Sequence, residues 1–271
     1  MSLNFSVLMP VYVKENPHFL ESALESIWDS QILKPSQIVL IEDGPLTEEL
    51  YFVISQWQSK LSTRLKVVTL PKNLGIAGAL NNGLKNCDFD YIARMDSDDR
   101  SVPERFETQV AFAESNPNID CFGSWVAEYD ENLIEFMKIR KVPQCHSEIT
   151  QFSKKRNPMS HPAVFFKKAS VQEVGLYPTV YPEDYFLWFR LIQRGYKFAN
   201  IPNILVHMRT GKDLIGRRGW VMLKGEIKIY LSMYSSGFIS LYRLTLNLVI
   251  RSLLRLSPSF FKNVFYKYLR D

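Results

Sequence analysis

Three groups of carboxylates stand where they could do chemistry. Arg94-Met95-Asp96-Ser97-Asp98-Asp99 contains an Asp-x-Asp, which puts two carboxylates close together in a turn. Hard oxygen ligands of that kind suit Mg²⁺ or Mn²⁺, and such a cation would in turn hold a diphosphate. Glu42-Asp43-Gly44 is a second acidic group, and Pro182-Glu183-Asp184 is a third. Each also has a plain reading: Asp98 and Asp99 could cap a helix beginning near Pro103, Asp43-Gly44 could be an ordinary turn, and Glu183-Asp184 could complement a helix dipole.

The elements around these groups favour chemistry. Phe5–Val11, Ile38–Ile41, Leu65–Leu70 and Tyr91–Met95 are short apolar runs that read as buried strands. Between them, Phe19–Ser30, Thr47–Leu61 and Ile76–Lys85 carry apolar residues at helical spacing, with Thr47 as a cap. This alternation predicts parallel βαβ units, and such sheets bind ligands beyond the carboxyl ends of their strands. Glu42-Asp43 and Asp96–Asp99 both follow a strand, so both fall at one edge. Asn73-Leu74-Gly75 opens the third helix, whose N-terminal amides suit an anion.

Further along, Asp120–Tyr129 and Ile134–Val142 read as longer, antiparallel strands and Ala163–Phe166 as a short one. Glu183–Arg194 reads as a helix ended by Gly195, and Lys197–Met208 as two short strands broken at Pro202-Asn203. From Trp220 on the pattern is helical, with breaks at Ser235–Gly237 and Ser257-Pro258.

The chain has 271 residues, 46% apolar and 23% charged, enough for one large α/β domain with an appendage. A net charge of +5 suits a phosphate-bearing ligand or an anionic surface. Cys87, Cys121 and Cys145 are far apart and odd in number, which argues against a disulfide framework or a zinc site and for a reducing compartment. The first residues do not read as a signal peptide, and no apolar run is long enough to span a bilayer. The basic residues match no nucleic-acid-binding module.

The order Met9-Pro10-Val11-Tyr12, Ile41-Glu42-Asp43-Gly44, Asn73-Leu74-Gly75 with Asn81-Asn82-Gly83-Leu84, and Ala93-Arg94-Met95-Asp96-Ser97-Asp98-Asp99 resembles family 2 glycosyltransferases over roughly residues 5–220. The likeness is to non-processive bacterial enzymes of capsule, O-antigen and exopolysaccharide assembly. It implies a GT-A fold with a Rossmann-like, mostly parallel sheet. It implies an inverting, metal-dependent transfer of one sugar from a nucleotide sugar, with UDP-sugars expected, to a glycan acceptor linked to polyprenyl diphosphate. The Gln-x-x-Arg-Trp signature of processive synthases is absent, which fits single addition.

By that resemblance, Asp43 contacts the base, flanked by Pro10, Val11 and Tyr12; Asp96 lies near the ribose; and Asp98 reaches Mn²⁺ or Mg²⁺. Asn73, Gly75, Asn81 and Arg94 complete the donor side. Glu42 is assigned to the donor side as well, and stands where many relatives have Asp. Asp184 matches the general base that removes the acceptor hydroxyl proton, with Glu183 orienting it and Trp188 on the same helix. His161 is assigned to the acceptor side. A late polar ligand for metal or diphosphate falls to His207 or Arg209, and Arg217-Arg218 to phosphate. The expected division is a catalytic domain at 1–219, with a nucleotide-sugar half at 1–100 and an acceptor half at 101–219, and a helical region at 220–271.

Two other functions share some of these features. A nucleotidyltransferase also uses acidic pairs and a metal, but it would show a Gly-rich basic loop after the first strand, where this chain has Pro10-Val11-Tyr12-Val13. A non-catalytic sugar-nucleotide-binding protein would not need every carboxylate in place.

In the C-terminal region Arg243, Asn247, Arg251 and Arg255 form one helical stripe beside a Leu-rich surface. Phe260, Phe261, Phe265, Tyr266 and Tyr268 follow, mixed with Lys262, Lys267 and Arg270. The stripe is expected to meet an anionic membrane, which places the protein in the cytoplasm, peripheral on the inner face of the plasma membrane. The alternatives are packing on the catalytic domain or on a second copy in a homodimer.

Overall fold

The computed structural model describes residues 3–210 and 219–256. Its centre is four parallel strands: β1 (Phe5–Val11), β2 (Gln37–Glu42), β3 (Leu65–Thr69) and β4 (Tyr91–Arg94). The helices between them are α1 (Pro17–Ile27), α2 (Glu48–Leu61) and α3 (Gly75–Asn86). Strand β1 is buried along its whole length because helices cover both faces. Phe5, Val7, Met9 and Val11 enter the core under α1 and α2, while Leu8 enters the core under α3. Local signals start the helices: Asn16 accepts from the His18 amide ahead of α1, and Thr47 accepts from the Leu50 amide at 3.3 Å ahead of α2.

The sheet is completed by β5 (Arg100–Ser101), β6 (Cys121–Tyr129), β7 (Phe136–Arg140), β8 (Phe165–Lys167) and β9 (Phe198–Arg209). Among the described residues its order is β3-β2-β1-β4-β8-β6-β9-β5, with β7 antiparallel on β6. The chain runs outward from β1 to β3 and then returns to place β4 on the other side of β1. That reversal opens a crevice at the carboxyl ends of β1 and β4.

One strand differs from expectation. Residues 198–209 form a single strand, parallel to β6, not two short ones. Ser124 pairs with Ile201 and Trp125 with Ile204, so Pro202 and Asn203 bulge out and the ladder resumes. A proline can sit in a bulge because the ladder asks for no N–H there.

Helices α4 (Arg105–Ser115), α5 (His146–Ser153), α6 (Lys168–Glu173) and α7 (Glu183–Gln193) pack around this half. The tail forms α8 (Trp220–Ser235) and α9 (Leu241–Leu256). Tyr185 and Phe189 of α7 share a core with Ile229, Tyr230 and Met233 of α8 and Leu244 of α9. Helix α8 approaches so closely at Gly225 that an added Cβ would lie 1.5 Å from the Tyr181 carbonyl oxygen.

The C-terminal stripe is turned the opposite way from the expectation. Asn247 donates to the Lys154 carbonyl at 2.8 Å, and Arg251 donates to the Lys155 carbonyl at 2.7 Å. Arg255 forks onto Glu226 of α8 at 2.9 and 3.1 Å, and Arg251 lies 3.7 Å from the same carboxylate. The polar stripe therefore packs on the protein, while Leu241, Tyr242, Val249 and Leu253 are more than half exposed. Buried carbonyls and a buried carboxylate need donors, and the stripe supplies them. The aromatic run at 260–268 lies outside the described residues. Among those described, no helix is long and apolar enough to cross a membrane.

Candidate active site

Two cavities meet at Asp96. The first, of about 370 Å³, lies at the crevice between β1 and β4. It is lined by Pro10, Val11 and Tyr12 from the end of β1, Asp43 after β2, Asn73 and Gly75 at the start of α3, and Asp96 and Asp98 after β4. The volume is that of a small-ligand cleft, within the usual range of about 300–1,000 Å³. These residues converge because each follows a neighbouring parallel strand. Asp43 fixes the arrangement by accepting from the Leu74 amide at 2.6 Å. Gly44, at φ +88°, brings its turn so near that a Cβ would lie 2.6 Å from the Asn73 nitrogen.

Asp96, Asp98 and Asp99 bring carboxylate oxygens within 4.8 Å of one another. Burial, with Asp96 and Glu15 nearby, pushes the Asp98 carboxyl up to about 7. Burial and the Asp98 and Asp96 charges raise Asp99 as well. One Asp99 oxygen, Oδ1, accepts from the Arg209 amide at 2.8 Å, while the other is buried and has no partner among the described residues. Crowded carboxylates with an orphaned oxygen are a donor set that a divalent cation fits. Neither aspartate caps α4, whose cap position is held by Glu104 without a side-chain cap bond.

The loop is held from below by Arg105, which is wholly buried and donates to the Arg94 carbonyl at 2.6 Å and the Pro162 carbonyl at 3.0 Å. Arg94 itself is buried and ion-paired to Asp96, and its Nε and Nη1 have no partner among the described residues.

The second cavity, of about 610 Å³, opens on the other side of Asp96. Glu183 and Asp184, at the start of α7, line one wall, with His161 and Asn157. Asp184 accepts from the Asn157 amide group at 2.5 Å and from the Tyr185 backbone at 2.7 Å. Burial raises the Asp184 carboxyl, and those two hydrogen bonds pull it back. Glu183 is pushed up to about 7 by burial and by the Asp184 charge. His161 lies 3.9 Å from Glu183 and 3.2 Å from the Tyr177 hydroxyl. Burial holds its ring well below the ordinary histidine range, with Arg94 adding to the effect, so at neutral pH the His161–Glu183 contact is not an ion pair.

Several residues expected at the site lie elsewhere. Glu42 points away from the cleft and accepts from the Thr69 hydroxyl at 2.6 Å, because it faces opposite to Asp43 in the strand. Asn81 clamps the Tyr177 backbone with both ends of its amide, at 2.8 and 2.9 Å. Trp188 is wholly buried one turn beyond Asp184 and supports the His161 ring from 6.0 Å. His207 remains within β9 opposite Arg100, with its ring 5.0 Å from Tyr129. The strand runs one residue further than expected, to Arg209, and Arg209 reaches the acidic loop instead, bonded to the Asp98 carbonyl and stacked on Phe19. Arg217 and Arg218 lie outside the described residues.

Others escaped the sequence reading. Glu15 lines the first cavity and accepts from the Ser97 hydroxyl at 2.6 Å. It follows β1 as Asp43 follows β2, so the strand-end rule could have found it. Asn157 and Arg105 carry no periodic signal.

A crevice at the switch point of an α/β sheet, with an acidic turn beside it and a buried carboxylate across from it, defines a GT-A glycosyltransferase. Residues 6–175 match the family described as Glycosyl transferase family 2, and the chain belongs to that family. It is 41% identical, over 94% of both chains, to the amylovoran biosynthesis glycosyltransferase AmsE of Erwinia amylovora. It is 39% identical to the UDP-Gal:alpha-D-GlcNAc-diphosphoundecaprenol beta-1,3-galactosyltransferase of Escherichia coli, over 97% of this chain and 95% of that one. S. aureus TarS 1-349 in complex with UDP-GlcNAc shares the fold at a TM-score of 0.68 and 16% identity, covering 98% of this chain and 76% of that one. The Pyrobaculum calidifontis mannosyltransferase PcManGT, solved with GDP-Man and Mn²⁺, does so at 0.67 and 14%, covering 93% and 70%. The protein is a glycosyltransferase.

Proposed function

We propose that this enzyme moves one sugar, with inversion, from a UDP-sugar to a glycan carried on polyprenyl diphosphate during assembly of a bacterial surface polysaccharide. The observation that carries the reading is the meeting of the two cavities at Asp96: the cleft at the strand ends adjoins a cavity walled by the buried Asp184 carboxylate. Names of the relatives support the donor and the acceptor class.

In this reading Pro10, Val11, Tyr12 and Asp43 hold the base of the nucleotide, and Asp96 faces the ribose. Residues 1–219 supply the donor-binding and reacting groups, and α8 and α9 close the acceptor cavity. Asp98, with Asp96 and Asp99, would hold Mn²⁺ or Mg²⁺. When bound, that cation would offset the negative charge of the leaving diphosphate. Asp184 takes the proton of the acceptor hydroxyl as that oxygen bonds to the anomeric carbon and the bond from that carbon to the diphosphate breaks. Direct displacement inverts the anomeric centre. Asn157 aims one Asp184 oxygen and favours its charged form.

The exposed apolar face of α9, with Trp220 and Val221 of α8, is the surface that would rest on the membrane. In this reading the enzyme works on the inner face of the plasma membrane without using the arginine stripe.

The test is UDP-sugar turnover and transfer by the purified chain. Asp184→Asn is expected to keep UDP affinity and to lower transfer by about a hundredfold or more. Full transfer by that variant would remove Asp184 from its role.

A further inference from the structure

The acceptor cavity carries more positive charge than a neutral sugar calls for. Arg251 and Arg255 line it but are committed to Glu226, which fixes α9 as a wall. Arg243, two turns before Arg251 on the same stripe, lines the cavity as well, and so does Lys155, whose carbonyl accepts from Arg251. Among the described residues neither has an ion-pair or hydrogen-bond partner for its charged group.

The carboxylates of the cavity do not answer these cations. Glu226 is taken by two arginines, and Asp96 by Arg94. Asp184 is held by Asn157 and the Tyr185 amide, and burial works against ionising both it and Glu183. A sugar hydroxyl asks only for hydrogen-bonding groups. Unspent cations of this kind suit an oxyanion ligand, which guanidinium binds in a fork and ammonium as a point charge. The neighbours of Arg243 on α9, Leu241 and Tyr242, are 58% and 73% exposed, so the charge sits beside apolar surface.

We propose that Arg243 and Lys155 bind the pyrophosphate that joins the acceptor glycan to its prenyl chain. The inference rests on the transferase reading with a lipid-linked acceptor and gives the linker a place in the molecule. The pyrophosphate is held by Arg243 and Lys155, the hydroxyl to be glycosylated faces Asp184 in the same cavity, and the prenyl chain leaves along the apolar face of α9.

The full chain is titrated with farnesyl diphosphate, inorganic pyrophosphate and farnesol by calorimetry, with and without saturating UDP and Mg²⁺. Farnesyl diphosphate is expected to bind alongside UDP, and inorganic pyrophosphate more weakly; farnesol should show no binding. Arg243→Ala and Lys155→Ala should each weaken farnesyl diphosphate at least tenfold and leave UDP affinity unchanged, while Arg243→Lys keeps most of the affinity and shows that the site still folds. Equal affinity in both alanine variants, displacement of farnesyl diphosphate by UDP, or farnesol binding as tightly would each overturn the inference. A parent chain that binds no UDP would instead overturn the transferase reading, since the titrations without UDP still report on this cavity.

Discussion

Replacing Asp98 with Asn should stabilise the protein when no metal is present. Asp98 lies with Asp96 and Asp99 in a cluster whose carboxylate oxygens fall within 4.8 Å. At that separation a pair of unit charges repels by about 3 kcal/mol at an effective dielectric of ~20. The elevated carboxyl gives a second route to the size of the effect. A rise from 3.8 to about 7 corresponds to roughly 4 kcal/mol at about 1.4 kcal/mol per pH unit, which water entering the open cleft would cut to about 2. The two routes agree on about 2–4 kcal/mol. At roughly 2–4 °C per kcal/mol for a chain of this size, Tm should rise by about 4–16 °C.

The sign follows from the direction of the shift. A carboxyl raised in the folded state favours its protonated form there. The associated stability is fully present below about pH 4 and is lost as pH rises through about 7. Parent and Asp98→Asn should therefore melt together near pH 4 and separate progressively up to pH 8. The assay is thermal unfolding in EDTA across that range, repeated with Mn²⁺ and UDP. With both present the order should reverse, because the parent gains binding energy that the variant loses. A variant that melts below the parent at pH 8 in EDTA, or a gap that ignores pH, would refute the reasoning.

Transfer should rise with pH on an acidic limb set by the Glu183–Asp184 pair, since the base must be ionised; Asn157→Ala removes a bond that favours the charged form and should move that limb to higher pH, read from kcat/KM profiles. Gly225→Ala should destabilise by about 1–3 kcal/mol in a denaturant titration, because a Cβ at that position meets the Tyr181 carbonyl. Charging the outer face of α9 with Tyr242→Asp, Val249→Asp and Leu253→Asp together should reduce co-sedimentation with anionic vesicles at unchanged fold, and equal pelleting would remove this face from membrane contact.

Much of the donor side was legible in the sequence. Parallel strands between amphipathic helices put the residues after β2 and β4 at one edge by geometry alone, so Asp43, Asp96 and Asp98 could be grouped before any coordinates, while Pro10 and Tyr12 joined them through the family resemblance. That rule works because strand ends in a parallel sheet share a direction. It cannot say which of two adjacent residues faces the cleft: Asp43 lines it, while Glu42 turns to Thr69.

The acceptor side was decided by tertiary structure. Asn157, Glu226 and α9 come from segments far apart in sequence, and no periodicity links them. Helical spacing fixed that Arg243, Asn247, Arg251 and Arg255 share one face. Which way that face turns depended on what lay beneath it: the buried Glu226 carboxylate and the Lys154 and Lys155 carbonyls needed donors, and the stripe was the set within reach. An amphipathic pattern determines that a helix has two faces. The partners that each face meets are set by the unsatisfied polar groups and apolar surfaces that the rest of the fold presents.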